Sequence, residues 1–114
     1  MSLVCSLEER PDGCLVCIRG HADTAAVADI DRAFLRVTAG RQPLVVLDLS
    51  DTTFVSSLAM GSLLNLHKSL KRTGRLLRLA AVQPLVADAF SRVRLQEVIE
   101  VCDTVTSAFG RPAP

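Results

Sequence analysis

The sequence predicts an α/β domain built on a mixed sheet, and three stretches carry that reading. Pro43 to Gly74 reads as a buried strand, a polar connection and an amphipathic helix. Leu3 to Arg19 folds back on itself around Arg10-Pro11-Asp12-Gly13, a strong turn signal. Beyond Gly74, apolar runs of strand length alternate with helical patterns. The resulting order is β-β-α-β-α-β-α-β-α, with about four helices. Strand–helix–strand units are right-handed and parallel. The opening hairpin therefore adds an antiparallel strand to an otherwise parallel sheet.

Bulk properties narrow the class. A chain of 114 residues has the length of one domain, and roughly two-thirds of its unfolded surface becomes buried. With 49% hydrophobic and 22% charged residues, it forms a core without a disulfide or metal staple. A net charge of +1 makes no global field for nucleic acid or an anionic membrane. Four Phe, with no Trp or Tyr, leave little to stack on bases. No apolar run approaches the ~20 residues of a membrane helix. Charges arrive at Glu8 with no long apolar segment before them, unlike a signal peptide. The expectation is a cytoplasmic protein with neither membrane insertion nor nucleic-acid binding.

The first strand is placed at Leu3 to Glu8 and the second at Cys14 to Arg19. Gly20 to Asp23 is a tight connection, and Asp23 is a good N-cap for the first helix. Val27, Ile30, Phe34 and Val37 form its apolar stripe, with Asp29, Asp31, Arg32 and Arg36 on the wet side and Gly40 at its end. Pro43 opens the third strand, where its missing N–H does little harm. Leu44 to Leu47 is continuously apolar, as in a strand covered on both faces. Asp48 to Thr53 is a polar connection, after which Phe54 and Val55 re-enter the core. The second helix carries Met60, Leu63, Leu64, His67 and Leu70 at three- and four-residue spacing. Lys68, Lys71 and Arg72 match the negative end of its dipole, and Gly74 is its left-handed stop.

Leu76 to Val82 is the fourth strand, and Pro84 fits the first turn of the third helix. Leu85, Val86, Ala89, Phe90 and Val93 supply that helix's buried face. Glu97 to Cys102 is the fifth strand, and Asp103 caps a last short helix through Phe109. The domain spans residues 1–110, with a frayed tail at 111–114.

Four cysteines raise the question of a disulfide or metal site. Cys14 and Cys17 form a C-x-x-C pair, but in a strand positions three apart point to opposite faces. No second C-x-x-C completes a zinc site. Small buried thiols in a reducing compartment are the reading, with no metal and no cofactor. A catalytic constellation is also absent: there is no Gly-rich phosphate loop and no His/Asp pair near a nucleophile. The chain is therefore read as a non-enzyme. Lys68, Lys71, Arg72, Arg75 and Arg78 read as a solvated face, and His67 as a partly buried packing residue.

Ser56 and Ser57 fall at a helix N-terminus beyond the carboxyl end of a central strand, the edge where ligands collect in open α/β sheets. Two readings stand side by side. Either serine can be an ordinary N-cap, or one can be a phosphoacceptor set against free N–H groups and the positive end of the dipole. Ala59 and Gly61, both small, serve close packing against the sheet, a flat docking surface, or both.

Asp48-Leu49-Ser50, Phe54, Ser57, Gly61, Leu63 and Leu64 resemble the signature of STAS domains, the anti-sigma factor antagonists and their relatives. Gly20-His21-Ala22-Asp23 resembles, weakly, the family's Gly-Glu-Leu-Asp turn. The resemblance implies a single-domain STAS-like fold over most of the chain. It also implies a bacterial regulator of transcription that binds an anti-sigma factor, itself often a serine kinase of the GHKL type. It places the phosphorylated serine at Ser57 and the partner surface at Asp23, Ser56, Ser57, Leu58, Ala59 and Gly61, with a phosphatase to reset the switch. Three positions depart from the family pattern: Ser56 replaces Asp, Leu58 replaces a Ser or Thr, and Ala59 replaces Gly. His21 replaces the turn's Glu, so partner choice can differ. The missing Asp at Ser56 and the missing Gly at Ala59 favour a second role, a docking subunit of a stress-signalling scaffold or lipid-transport complex that is never phosphorylated.

Overall fold

In the computed structural model, which describes residues 3–112, the sheet is assembled on β2 (Gly13–Ala22). β1 (Val4–Arg10) lies antiparallel to it, pairing Leu7 with Val16 and Arg10 with Gly13. A side chain at Gly13 would place its Cβ 2.4 Å from the Leu44 carbonyl oxygen, so the turn sits hard against the next strand. β3 (Leu44–Asp48) runs parallel to the first half of β2. β5 (Leu76–Ala80) follows, then β6 (Glu100–Cys102), giving the order β1-β2-β3-β5-β6.

The helices are α1 (Val27–Ala39), α2 (Ser57–Arg72), α3 (Pro84–Arg92) and α4 (Val105–Gly110). α1, α2 and α3 bury Ile30, Phe34, Val37, Leu63, Leu66, Leu70 and Phe90 against Val16, Val45, Leu47, Leu77 and Leu79. Each such side chain contributes about 1.5–3 kcal/mol relative to exposure. On the opposite face, α4 covers Leu15, Val46, Ala80 and Cys102. Cys14 belongs to the first cluster and Cys17 borders the second, on opposite faces, and all four cysteines are free thiols.

α2 ends as its sequence dictates. Gly74 has φ 72°, its N–H donates to the Lys71 carbonyl, and the Arg75 N–H donates to the Leu70 carbonyl. This is the paired bonding of a Schellman stop.

Several elements differ from the sequence reading. The polar connection contains a sixth strand, β4 (Thr52–Val55), which pairs in parallel with β2 through Gly20↔Thr52, His21↔Phe54 and Ala22↔Val55. β2 outruns β3 by several residues, and β4 takes over its exposed edge. Strand alternation then turns Val55 inward and Phe54 outward, so Phe54 is 47% exposed rather than in the core. In α3, Leu85 is 77% exposed because its neighbour Val86 takes the inward position. Val93 lies beyond the last helical turn and is exposed as well. The strand expected over Glu97–Cys102 keeps only its last three residues, after a 3-10 turn at Leu95–Glu97. Thr104, not Asp103, caps α4, in a reciprocal capping box with Ser107.

Two residues of the basic cluster are structural rather than solvated. Arg75 donates to the carbonyls of Gln42, Thr38 and Val37, closing the end of α1. Arg78 is 1% exposed and donates to Glu100 and to the carbonyls of Ala108, Arg111 and Pro112. Arg111 and Pro112 are thereby anchored and not frayed. Ala113 and Pro114, the rest of the expected tail, lie outside the described residues.

Candidate functional site

Three segments converge at the carboxyl edge of β2, β3 and β4. The signature triplet builds the first. Asp48 Oδ1 accepts from the Ser50 N–H at 3.0 Å, Leu49 fills the core, and the Leu49 N–H donates to the Ala80 carbonyl. Gln83 Nε2 donates to the Ser50 carbonyl at 2.6 Å, tying this turn to the start of α3. Asp48 and Ser50 therefore shape the loop that delivers β4.

The parallel pairing of β2 with β4 supplies the second and third segments. Ala22 lies opposite Val55, and the Ser56 N–H donates to the Ala22 carbonyl at 2.8 Å. The residues that follow each strand, Asp23 and Ser56, are thus held side by side. Asp23 Oδ1 accepts from the Ala26 N–H at 3.0 Å and caps a 3-10 turn, Thr24–Ala26, that leads into α1.

Ser56 is the N-cap of α2. Its backbone is extended (φ −74°, ψ 163°) and its Oγ accepts from the Ala59 N–H at 3.1 Å. Ser57 is the first helical residue and is exposed. The two serines thus divide the two readings: Ser56 caps, and Ser57 presents a free hydroxyl to the outside. Leu58 is 55% exposed beside it. Ala59 points into the core at 2% exposure, whereas nothing lies within 4 Å of a Cβ built on Gly61. Ser57, Leu58 and Gly61 contribute surface; Ala59 contributes packing.

Phe54 joins that surface. Its ring lies 5.8 Å from the His21 imidazole, inclined at 50°, and the Thr53 hydroxyl is hydrogen-bonded to His21 Nδ1. Phe54 and Leu58 are the large apolar side chains exposed there, at 47% and 55%. Sequence reasoning missed Phe54 because it read Asp48–Thr53 as a connection. The alternation within Thr-Thr-Phe-Val was the signal that places Phe54 outward. His67 is remote, on the later half of α2. Burial, then Lys71 and Lys68, lower its pKa.

No group of three His, Cys, Asp or Glu among the described residues is disposed to hold a metal ion. No helix among them is long and apolar enough to cross a membrane.

The family model for the STAS domain matches residues 5–108. Several solved structures are similar to the chain. An anti-sigma factor antagonist from Mycobacterium paratuberculosis superposes with a TM-score of 0.88 at 20% identity, covering 96% of this chain and 92% of that one. An anti-sigma-factor antagonist (STAS) domain protein from Planctomyces limnophilus gives 0.83 at 20% identity, covering 92% and 93%. A sulfate transporter family protein from Wolinella succinogenes gives 0.72 at 21%, covering 84% and 80%. At these identities the likeness establishes the fold.

Proposed function

The chain belongs to the STAS domain family, and from that premise we propose that it is a cytoplasmic bacterial regulator that docks an anti-sigma factor through the N-terminus of α2. Phosphorylation of Ser57 releases it. The observation that carries this reading is the division of labour between the two serines. Ser56 is engaged as the cap, while Ser57 stands exposed on the first turn beside Phe54 and Leu58.

A partner kinase of the GHKL type transfers the γ-phosphoryl group of ATP to Ser57 Oγ as the bond from the γ-phosphorus to the bridging oxygen breaks and ADP leaves, and the hydroxyl proton passes to a base on the kinase. The Ser57 and Leu58 N–H groups belong to the first turn and have no intrahelical acceptor. A phosphate on Ser57 is therefore favoured by those donors and by the helix dipole. It brings roughly −1.5 to −2 charges to an apolar patch, and desolvating them opposes docking. A phosphatase resets the switch by hydrolysing the ester.

A second reading is a docking subunit that is never phosphorylated, in a stress-signalling scaffold or lipid-transport complex. It is favoured by Ser56 and Ala59, which stand where the family has Asp and Gly. Co-purification of the chain from its own cells, followed by mass spectrometry, separates the two. A GHKL kinase that is lost with Ser57→Asp supports the switch. Transporter or scaffold subunits that bind Ser57→Asp equally well support the second reading.

A further inference from the structure

A groove of ≈ 270 Å³ lies between α1 and α2, away from the Ser57 end. Its α1 wall carries Asp31, Leu35 and Thr38, and its α2 wall carries Ser62, Asn65 and Ser69. Leu35 stands at the rim 69% exposed, an apolar knob beside a recess. Ser62 lines the floor between the helices and is 6% exposed.

Charge along the groove is polarised. α1 and α2 each join parallel strands in the same sheet, so they run in the same direction. Asp31 marks one end. Lys68 and Arg72, three and seven residues beyond Asn65, mark the other. None of these three makes an ion pair among the described residues.

We infer that a second copy of this chain docks on this groove, antiparallel, about a two-fold axis passing near Leu35 and Asn65. The two-fold places Leu35 of each copy in the recess of the other, as an isologous contact requires. It also sets Asp31 of each copy against Lys68 and Arg72 of the other. The lever arms agree: Asp31 lies about 6 Å along its helix from Leu35, and Lys68 and Arg72 lie about 5–10 Å from Asn65, at the helical rise of ~1.5 Å per residue. Ser57 remains outside the contact, about 12 Å from the axis along α2 on the same rise.

Sedimentation velocity of the full chain from about 1 μM to 1 mM tests this, a span of about 4 kcal/mol in association free energy. The expected result is a monomer–dimer equilibrium that Leu35→Asp weakens about tenfold or more. Leu35 is a surface residue, so this variant keeps its fold. Asp31→Lys alone weakens the dimer, as does Lys68→Asp combined with Arg72→Asp. Mixing those two variants restores association as a heterodimer, because both ends again pair opposite charges. A monomer throughout the range overturns the inference. So does a dimer that withstands Leu35→Asp or the charge reversals.

Discussion

Arg78 and Glu100 form an ion pair across the β5–β6 edge, Nε to Oε1 at 2.6 Å, with the arginine 1% exposed in mid-sheet. A lone buried guanidinium is costly. Here its remaining N–H groups reach the carbonyls of Ala108, Arg111 and Pro112. One side chain therefore pins the end of α4 to the sheet. Arg111 closes the arrangement on the other Glu100 oxygen at 2.6 Å.

This arrangement makes stability acid-sensitive. The hydrogen bond from Arg111 is the main cause that holds the Glu100 carboxyl below its ordinary value of 4.5; burial opposes it, and the Arg78 hydrogen bond and the two guanidinium charges add to the lowering. A depressed carboxyl pKa stabilises the fold fully above about pH 4.5, and that stability is lost as pH falls through the folded-state value. Glu100→Gln is expected to cost about 1.5 kcal/mol at pH 7, the low end for a hydrogen bond to a charged group because Glu100 is partly solvated. Denaturant titrations of both proteins across pH 3–7 check this. The difference shrinks below pH 4.5; a constant difference contradicts the pair's role.

Gly13→Ala should be disruptive. Its Cβ would meet the Leu44 carbonyl oxygen at 2.4 Å and the Phe109 ring at 3.1 Å, and the nearer obstacle is backbone. A loss of about 1–3 kcal/mol is expected from overpacking of this kind, read as a fall in thermal midpoint of about 4–8 °C per kcal/mol.

Two residues in the left-handed region should respond with opposite signs. Gly74 has φ 72° and Arg94 has φ 57°. Gly74→Ala costs about 1 kcal/mol, since a Cβ in this conformation is strained. Arg94→Gly removes that strain, and its exposed pair with Glu97 at 3.9 Å is weak, so a gain of up to about 1 kcal/mol is expected. Thermal melts of the two variants read both signs.

Cys14 and Cys17 should remain unlinked. They share β2 at odd spacing and pack on opposite faces of the sheet. Burial pushes both thiols above their ordinary pKa, which slows oxidation. Thiol titration of the denatured, unreduced protein should find all four cysteines free.

What the sequence made legible follows from local periodicity. The stripe Ile30, Phe34 and Val37, the run Leu44–Leu47 and the Gly74 stop each have one physical outcome, and each forms as read. What escaped depends on partners remote in the chain. β4 is a strand because β2 offers it an edge, and four residues opening on two threonines carry too little pattern to announce that. Arg78 looked solvated beside Lys71, Arg72 and Arg75, because its carbonyl partners lie some 30 residues on. At the site, Ser56 and Ser57 were legible as helix-start residues. Which one caps, and which faces out with Phe54, needed the Ser56 Oγ to Ala59 N–H bond.

That bond also separates the serines by stability. Ser56→Ala removes the cap and should cost about 1 kcal/mol. Ser57→Asp is a surface change at a helix start and should shift stability by about 0.5 kcal/mol or less. Thermal melts that rank the two the other way would contradict the assignment of Ser56 as the cap.

The measurement that bears most directly on the proposed switch is phosphate incorporation. Wild type, Ser56→Ala and Ser57→Ala are each incubated with the partner kinase and ATP, and their intact masses are read. The account predicts one phosphate on wild type, one on Ser56→Ala and none on Ser57→Ala. A phosphate persisting on Ser57→Ala, or none on wild type with its own kinase, would contradict it.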